Sequence, residues 1–159
     1  MVCTDEQPVQ LIRKTREAPP ATTQQPDRVD YEDERAGGAT AFVLCGALGG
    51  WREASARERC TKTDCAREVA TLKERRYADR EKVTLVLDNL HTDIKGASCT
   101  ASEATRARKL VRRIKSCTPK HGSWLNIAES ELSEMTRQCL CGRRIGVLEA
   151  LRAEIAALS

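Results

Sequence analysis

Aromatic side chains are scarce in this sequence of 159 residues, which has two Trp, two Tyr and one Phe. A core built mainly from aliphatic residues and Cys buries less apolar area per side chain, so we expect modest stability. The sequence also lacks any run approaching the roughly 18 consecutive apolar residues of a membrane-spanning helix. Its first residues show neither the basic nor the apolar stretch of a secretory signal. We therefore expect a single domain and no integral membrane helix.

Zinc-site and disulfide patterns are also missing. The chain has eight Cys and two His, but no CxxC pair and no zinc-finger spacing of the histidines. Without a secretory signal, Cys residues are by default reduced thiols that pack as small apolar groups. We expect a cytoplasmic, nucleoid-associated protein without a structural metal site.

Positive charge is present and locally concentrated. Lys and Arg outnumber Asp and Glu by 27 to 23, and residues 104–120 contain seven basic residues and no acid. Such a field suits phosphate backbones, although a solvated helix face is the alternative interpretation. Apolar residues at helical spacing up to Ile114 predict a helix in this segment. The basic residues expected on its outer side are Arg106, Lys109, Arg112 and Arg113.

The hydrophobic pattern predicts a mixed α/β fold, with a sheet flanked by helices. The uninterrupted apolar run at 83–87 is typical of a strand buried on both faces. A long polar loop is expected at about 13–39, because this segment is nearly free of large apolar residues. The other predicted strands are 2–5, 41–45, one from Trp51, and 116–118, and the predicted helices are 61–76, the basic segment, 125–140 and 147–158.

Acidic residues follow two of these strands. Asp88 ends the apolar run, and Asp5 has a similar position after the first strand. Ligands of open α/β sheets bind beyond the carboxyl ends of strands, so these acids are candidates for chemistry. Glu129 or Glu131 from the following helix would complete a set of hard oxygen ligands suited to Mg²⁺. Strand-end acids also form caps and turns, and spacing alone leaves both interpretations open.

Four segments carry a resemblance to a known family. This sequence resembles the catalytic domain of bacterial insertion-sequence transposases of the mariner-like DDE superfamily. The similarity runs along the whole sequence, and the segments occur in the same order as in the family. The longest and most specific segment is 118–129; the four together are TDEQPVQL from Thr4, RVDYE from Arg28, LVLDNL from Leu85 and TPKHGSWLNIAE from Thr118.

The resemblance implies a fold, a site and a reaction. It implies an RNase H-like domain over 1–159, with Asp5, Asp88 and Glu129 as the catalytic metal-binding triad. Glu129 is preferred to Glu131 because it closes the Leu-Asn-x-x-Glu motif. The implied cofactor is Mg²⁺ or Mn²⁺, with two ions. The implied reaction is hydrolysis of DNA at element ends followed by attack of a 3′-hydroxyl on target DNA, with a homodimer as a candidate assembly.

Residues next to the triad have candidate roles as well. Lys120 and His121 lie in the segment before the catalytic helix. They either contact DNA phosphate or belong to a polar loop that fixes where the chain enters the helix. Asn89 and Asn126 are candidates for hydrogen bonds that orient the metal-binding carboxylates.

The resemblance is incomplete in two places. Family members carry Asn-Thr-His shortly after the second Asp, whereas here His91 is displaced and Asp93 enters the neighbourhood. The sequence also contains no helix-turn-helix region before Asp5, so we expect sequence-specific end recognition to be missing from it. Two alternatives therefore stay open: an inactive remnant that binds DNA nonspecifically, and an RNase H-like nuclease acting on RNA–DNA hybrids.

Overall fold

The computed structural model describes residues 1–16, 23, 32–59, 61–87, 111–117 and 126–158. Their secondary structure combines strands and helices, as the hydrophobic pattern predicts. In chain order it comprises β1 (Val2–Lys14), β2 (Asp33–Gly46), β3 (Trp51–Arg57), α1 (Lys62–Arg75), β4 (Val83–Val86), β5 (Ile114–Cys117), α2 (Ala128–Met135), a π-helical turn (Thr136–Leu140) and α3 (Leu148–Ala156).

The five strands form one mixed sheet in the order β3-β2-β1-β4-β5. Three of them, β1 to β3, pair antiparallel, whereas β4 is parallel to both β1 and β5. The predicted α/β class, a mixed sheet flanked by helices, is confirmed. No described helix has the length and apolar character that crossing a membrane would require.

Helices cover both faces of the sheet, and each face has its own core. On the side of α1, which we call the α1 face, the buried residues are Val2, Phe42, Leu44, Cys65, Val69, Leu72, Val83, Leu85 and Leu87. On the side of α2 and α3, the α2 face, a large cluster contains Val43, Leu132, Met135, Leu151 and Ile155. A smaller cluster on the α2 face contains Cys3, Cys45, Val86 and Ala128.

Local signals account for α1. Thr61 is its N-cap and forms a capping box with Asp64, so that side chains satisfy backbone N–H groups of the first turn. The same signal predicts the helix from the sequence, and the observed range agrees with the prediction of 61–76. The apolar residues at helical spacing, Cys65, Val69 and Leu72, are all buried.

The predicted loop at 13–39 is wrong at both ends. The first strand continues to Lys14 and the second begins at Asp33, so a two-stranded ribbon occupies parts of this segment. The polar segment can form strands because the backbone hydrogen bonds between two antiparallel strands do not require an apolar face. Polar residues are paired in its register, and Arg13 forms an ion pair with Glu34 at 3.6 Å. Residues 17–22 and 24–31 lie outside the described residues.

Two helix predictions also need correction. Ile114 was expected on the apolar side of the basic helix, but it is the first residue of β5 and pairs with Val83. The chain is helical only at 111–113 within the described part of that segment, because pairing with β4 takes over from there. The helix expected over 125–140 begins at Ala128 and becomes π-helical from Thr136.

Candidate functional site

Asp5 lies on the α2 face of the central strand β1. Side chains alternate along a strand, so Cys3, Asp5 and Gln7 share one face. Cys3 packs in the cluster with Ala128 of α2, and Gln7 is hydrogen-bonded to Thr136 at the end of that helix. Asp5 is therefore placed between two residues that α2 contacts. It is half-buried, and its Oδ1 accepts a hydrogen bond from the Glu6 backbone N–H at 2.8 Å.

The start of α2 is tied to β1 next to Asp5. Asn126, only 4% exposed, donates a hydrogen bond from Nδ2 to the carbonyl oxygen of Thr4 at 3.3 Å. Its Oδ1 is buried and has no hydrogen-bond partner among the described residues. A buried polar oxygen without a partner is costly, so this atom needs a donor from water or from outside the described residues.

The helix runs alongside β1 in the same direction. Its contacts advance from Cys3, beside Ala128, to Gln7, which is bonded to Thr136. Eight helical residues rise about 12 Å and four strand residues rise about 13 Å, so the two elements stay in step. Along the direction of β1, the backbone of Glu129 therefore lies between the levels of Cys3 and Asp5.

Glu131 and Glu129 occupy different sides of α2. The Glu131 carboxylate binds Arg52 of β3, with 3.0 Å between Oε2 and Nη1, so its charge is compensated. Two helical residues differ by about 200° around the axis, which turns Glu129 away from Glu131. Since β3 and β4 lie on opposite sides of β1, Glu129 is on the β4 side of the helix. Glu129 is exposed.

The strand β4 leads directly to the second predicted acid. Its parallel register with β1 pairs Val2 with Leu85 and Cys3 with Val86. Leu87 is 1% exposed, and its N–H donates to the Cys117 carbonyl at 3.1 Å. Asp88 is the next residue in the chain but lies outside the described residues, together with Asn89, His91 and Asp93. Within 1–87, 111–117 and 126–158, as far as these are described, no three acids, Cys or His form a metal-binding group.

Carboxylates on β1 and α2 nevertheless suit a hard divalent ion. The described residues supply Asp5 and Glu129, and the buried Asn126 amide stands at the same junction of strand and helix. Carboxylate and amide oxygens are the donors that Mg²⁺ and Mn²⁺ prefer. The chemistry of the donor set therefore fits the implied metal.

The neighbouring thiol does not add a nucleophile. Cys45 lies opposite Cys3 in the β1–β2 register and lines a cavity of about 320 Å³ with Arg52 and Ile127. Burial and the adjacent Cys3 raise the pKa of the Cys45 thiol to about 12. The thiol is therefore protonated at neutral pH and is unsuited to nucleophilic attack.

The basic segment is only partly described, and one of its residues differs from expectation. Arg112 is exposed. Arg113, expected to face outward, donates through Nη2 to the carbonyl oxygens of Ala78 and Arg80, the latter at 2.6 Å. The guanidinium supports the turn that precedes β4, because backbone oxygens converge there. Arg106, Lys109, Lys120 and His121 lie outside the described residues.

Sequence reasoning missed three residues around the candidate site. Arg52 compensates Glu131, and the Gln7–Thr136 pair connects β1 with the end of α2. The position of Gln7, two residues after Asp5, was a signal that it shares the strand face with this acid. Nothing local in the sequence connects Arg52 or Thr136 to the site, since their partners are far away along the chain.

Comparison with known proteins identifies the family of the chain. A family model described as DDE superfamily endonuclease matches residues 1–152 of the chain. No curated protein and no solved structure matches it. The mixed five-stranded sheet flanked by helices is consistent with the RNase H-like fold of that family. Since the match covers nearly the whole sequence, the chain belongs to the DDE superfamily endonucleases.

Proposed function

We propose that this protein is the catalytic domain of a transposase of the mariner-like, insertion-sequence type. Its reaction would be metal-dependent cleavage of DNA strands at element ends, followed by strand transfer into target DNA. The family supports nuclease or transposase chemistry on DNA in general. The finer assignment rests on the resemblance of the motifs around Asp5, Asp88 and Glu129.

One observation carries the assignment of the three acids. The small buried cluster contains Cys3, Val86 and Ala128, which belong to three different elements and are in contact. Each proposed acid follows one of these residues by one or two positions: Asp5, Asp88 and Glu129. Because Cα atoms of consecutive residues are about 3.8 Å apart, the chain itself limits how far the acids can lie from this cluster.

The register of β1 and β4 adds support. The paired residues have a constant offset, Val2 with Leu85 and Cys3 with Val86. We propose that the same offset continues for two residues, which would pair Asp5 with Asp88. The two carboxylates would then stand on adjacent strands beneath the β4 side of α2, the side to which Glu129 belongs.

In this proposal Asp5, Asp88 and Glu129 hold two Mg²⁺ or Mn²⁺ ions. The bound ions would activate a water or 3′-hydroxyl and stabilise the leaving oxygen of phosphoryl transfer. Three carboxylates in one cleft repel one another unless cations compensate them, so the acids alone weaken the fold locally. The hydrogen bond of Asn126 to Thr4 joins the start of α2 to β1 and would keep Glu129 near Asp5. Arg112 and the undescribed basic residues would bind phosphates of element-end and target DNA.

Nicking of supercoiled plasmid DNA in Mn²⁺ tests the triad. We expect nicking by the wild type and loss of nicking in Asp5→Asn, Asp88→Asn and Glu129→Gln. Glu131→Gln is the matched control, since it removes an equal charge from the same helix, and it should nick normally. Equal inertness of the wild type and these variants would favour the inactive DNA-binding remnant. Preference for an RNA–DNA hybrid over duplex DNA would favour the RNase H-like nuclease.

Salt-dependent DNA binding tests the basic segment separately. Loss of one phosphate contact in Arg112→Ala should reduce the slope of log affinity against log salt by about 0.9. Arg67→Ala is the control, because Arg67 is an exposed residue of α1 outside the proposed DNA surface. An unchanged slope in Arg112→Ala would remove this residue from the DNA-binding surface.

A further inference from the structure

A hydrogen bond between Gln7 and Thr136 connects the central strand to the end of α2. Thr136 Oγ1 donates to Gln7 Oε1 at 3.0 Å, and the pair is partly buried. The partners are 129 residues apart in the sequence, so only the tertiary fold brings them together. The bond has no part in the metal-binding set proposed above.

This bond joins the face of β1 that carries Asp5 to the side of α2 that carries Glu129. Gln7 follows Asp5 by two residues and shares its face of β1. Thr136 follows Glu129 by seven residues, which is about two helical turns, so the two lie on the same side of α2. The distance between the Asp5 and Glu129 backbones is therefore linked to the integrity of the Gln7–Thr136 bond.

The helix changes geometry at this residue. The π-helical turn begins at Thr136, and its wider ring is closed by the Cys141 N–H, which donates to the Thr136 carbonyl at 2.8 Å. Single π-helical turns are rare in proteins, and those that occur are often found at functional sites. Here the turn coincides with the hydrogen bond to β1.

Directional bonds at both ends set the position of α2 along the strand. Its N-cap residue Ile127 makes no side-chain capping bond, and at that end Asn126 donates a hydrogen bond to Thr4 of β1. Between the two ends α2 packs mainly through Ala128, Leu132 and Met135. Apolar packing is not directional and tolerates small shifts along the axis, whereas hydrogen bonds do not.

We propose that Gln7 and Thr136 are positioning residues that hold Glu129 at a fixed distance from Asp5 and thereby set the affinity of the site for divalent metal. This inference rests on the proposed metal site. Mutations that disturb the residues supporting metal ligands reduce metal affinity about 10- to 100-fold. Thr136 acts on Glu129 through the backbone of α2 and not by direct contact, so its effect should be smaller. Thr136→Val should weaken Mn²⁺ binding roughly three- to tenfold.

Calorimetric titration of the full chain with Mn²⁺ alone, without DNA, tests the inference. Thr136→Val removes the hydroxyl at nearly constant volume, and Thr136→Ser keeps it. Ser55→Ala is the matched control, because the Ser55 hydroxyl donates to Glu68 at 2.9 Å between β3 and α1, away from the proposed site. The inference expects weaker Mn²⁺ binding in Thr136→Val, near wild-type binding in Thr136→Ser, and no change in Ser55→Ala. Urea unfolding of each variant accompanies the titration.

The outcomes separate the two proposals. Wild-type Mn²⁺ affinity in Thr136→Val, with binding abolished in Asp5→Asn, would overturn the positioning role and leave the metal site intact. Equal weakening in Thr136→Val and Ser55→Ala would also overturn it, since a general loss of stability would then explain the effect. Absence of Asp5-dependent Mn²⁺ binding in the wild type would overturn both proposals.

Discussion

The two faces of the sheet are stabilised in different ways. On the α1 face the helix has a side-chain capping box and an apolar and thiol core, and Glu68 connects it to the edge strand β3 by polar contacts with Ser55 and Arg57. On the α2 face the helix has no side-chain cap, ends in a π-helical turn, and is hydrogen-bonded to β1 through Asn126 and Thr136. The polar contacts of α1 thus reach the edge strand β3, whereas those of Asn126 and Thr136 reach the central strand β1, which carries Asp5.

The difference is instructive because the candidate site lies on the face whose helix is hydrogen-bonded to the central strand. Apolar packing stabilises both faces without defining distances closely. A metal site needs ligand distances set within narrow limits, and directional hydrogen bonds supply them. Substitutions on the α1 face should therefore change stability, whereas substitutions of the polar residues that join α2 to β1 should change metal binding.

The largest expected effect is a loss of stability without loss of the site. Leu72→Ala removes a side chain that is 2% exposed on the α1 face. We expect the free energy of unfolding in urea to fall by about 2–5 kcal/mol. Mn²⁺ affinity per folded molecule should stay at the wild-type value. Weaker Mn²⁺ binding in this variant would break the proposed division between the faces.

The dependence of stability on alkaline pH tests how well each face of the sheet excludes water from its buried thiol. Burial raises the pKa of Cys65 on the α1 face and of Cys45 on the α2 face from 9.0 to about 12. Below pH 9 both thiols are protonated in both states. Above it the unfolded thiols ionise first, so stability falls with pH, by about 1 kcal/mol per thiol at pH 10.

Single substitutions apportion this loss. Cys65→Ala and Cys45→Ala should each remove about half of the decrease in unfolding free energy that these two thiols cause between pH 8 and pH 10. A decrease carried by Cys65 alone would mean that water from the cavity beside Cys45 lowers the pKa of that thiol. The α2 face would then be wetter than the α1 face.

Removal of the cap tests the local stabilisation of α1. Thr61→Ala breaks the capping box and should lower the free energy of unfolding by about 1 kcal/mol. Val147→Ala is the control, because Val147 is the N-cap of α3, makes no side-chain capping bond and is exposed. The control should change stability by less than about 0.5 kcal/mol. Equal effects of the two changes would argue against the capping box.

The smallest expected effect concerns the ion pair of Arg52 and Glu131. The pair is partly exposed, so Glu131→Gln should cost about 0.2–1 kcal/mol of unfolding free energy, and less at high salt. A larger, salt-independent loss would indicate that this pair also holds α2 in place. The α2 face would then depend on charge as well as on hydrogen bonds.

Prediction from the sequence succeeded where the signal was local. The capping residues Thr61 and Asp64 identify α1, the Gly-rich turn before Trp51 identifies β3, and the apolar run identifies β4. It failed for the ribbon of β1 and β2, whose polar residues show no alternation. Ile114 was misassigned because an apolar residue fits a helix or a strand equally well until its partner, Val83, is known.

For the candidate site, the sequence alone determined the chemistry available: acids after apolar strands, a basic segment, and motifs that resemble those of a DDE family. Only the tertiary structure decided which of two acids on α2 is compensated, because Arg52 binds Glu131 from a distant strand. It also decided how α2 is held beside Asp5, through Asn126 on Thr4 and Thr136 on Gln7. Residue types and local periodicity follow from short-range interactions, whereas these contacts depend on which strands and helices pack together.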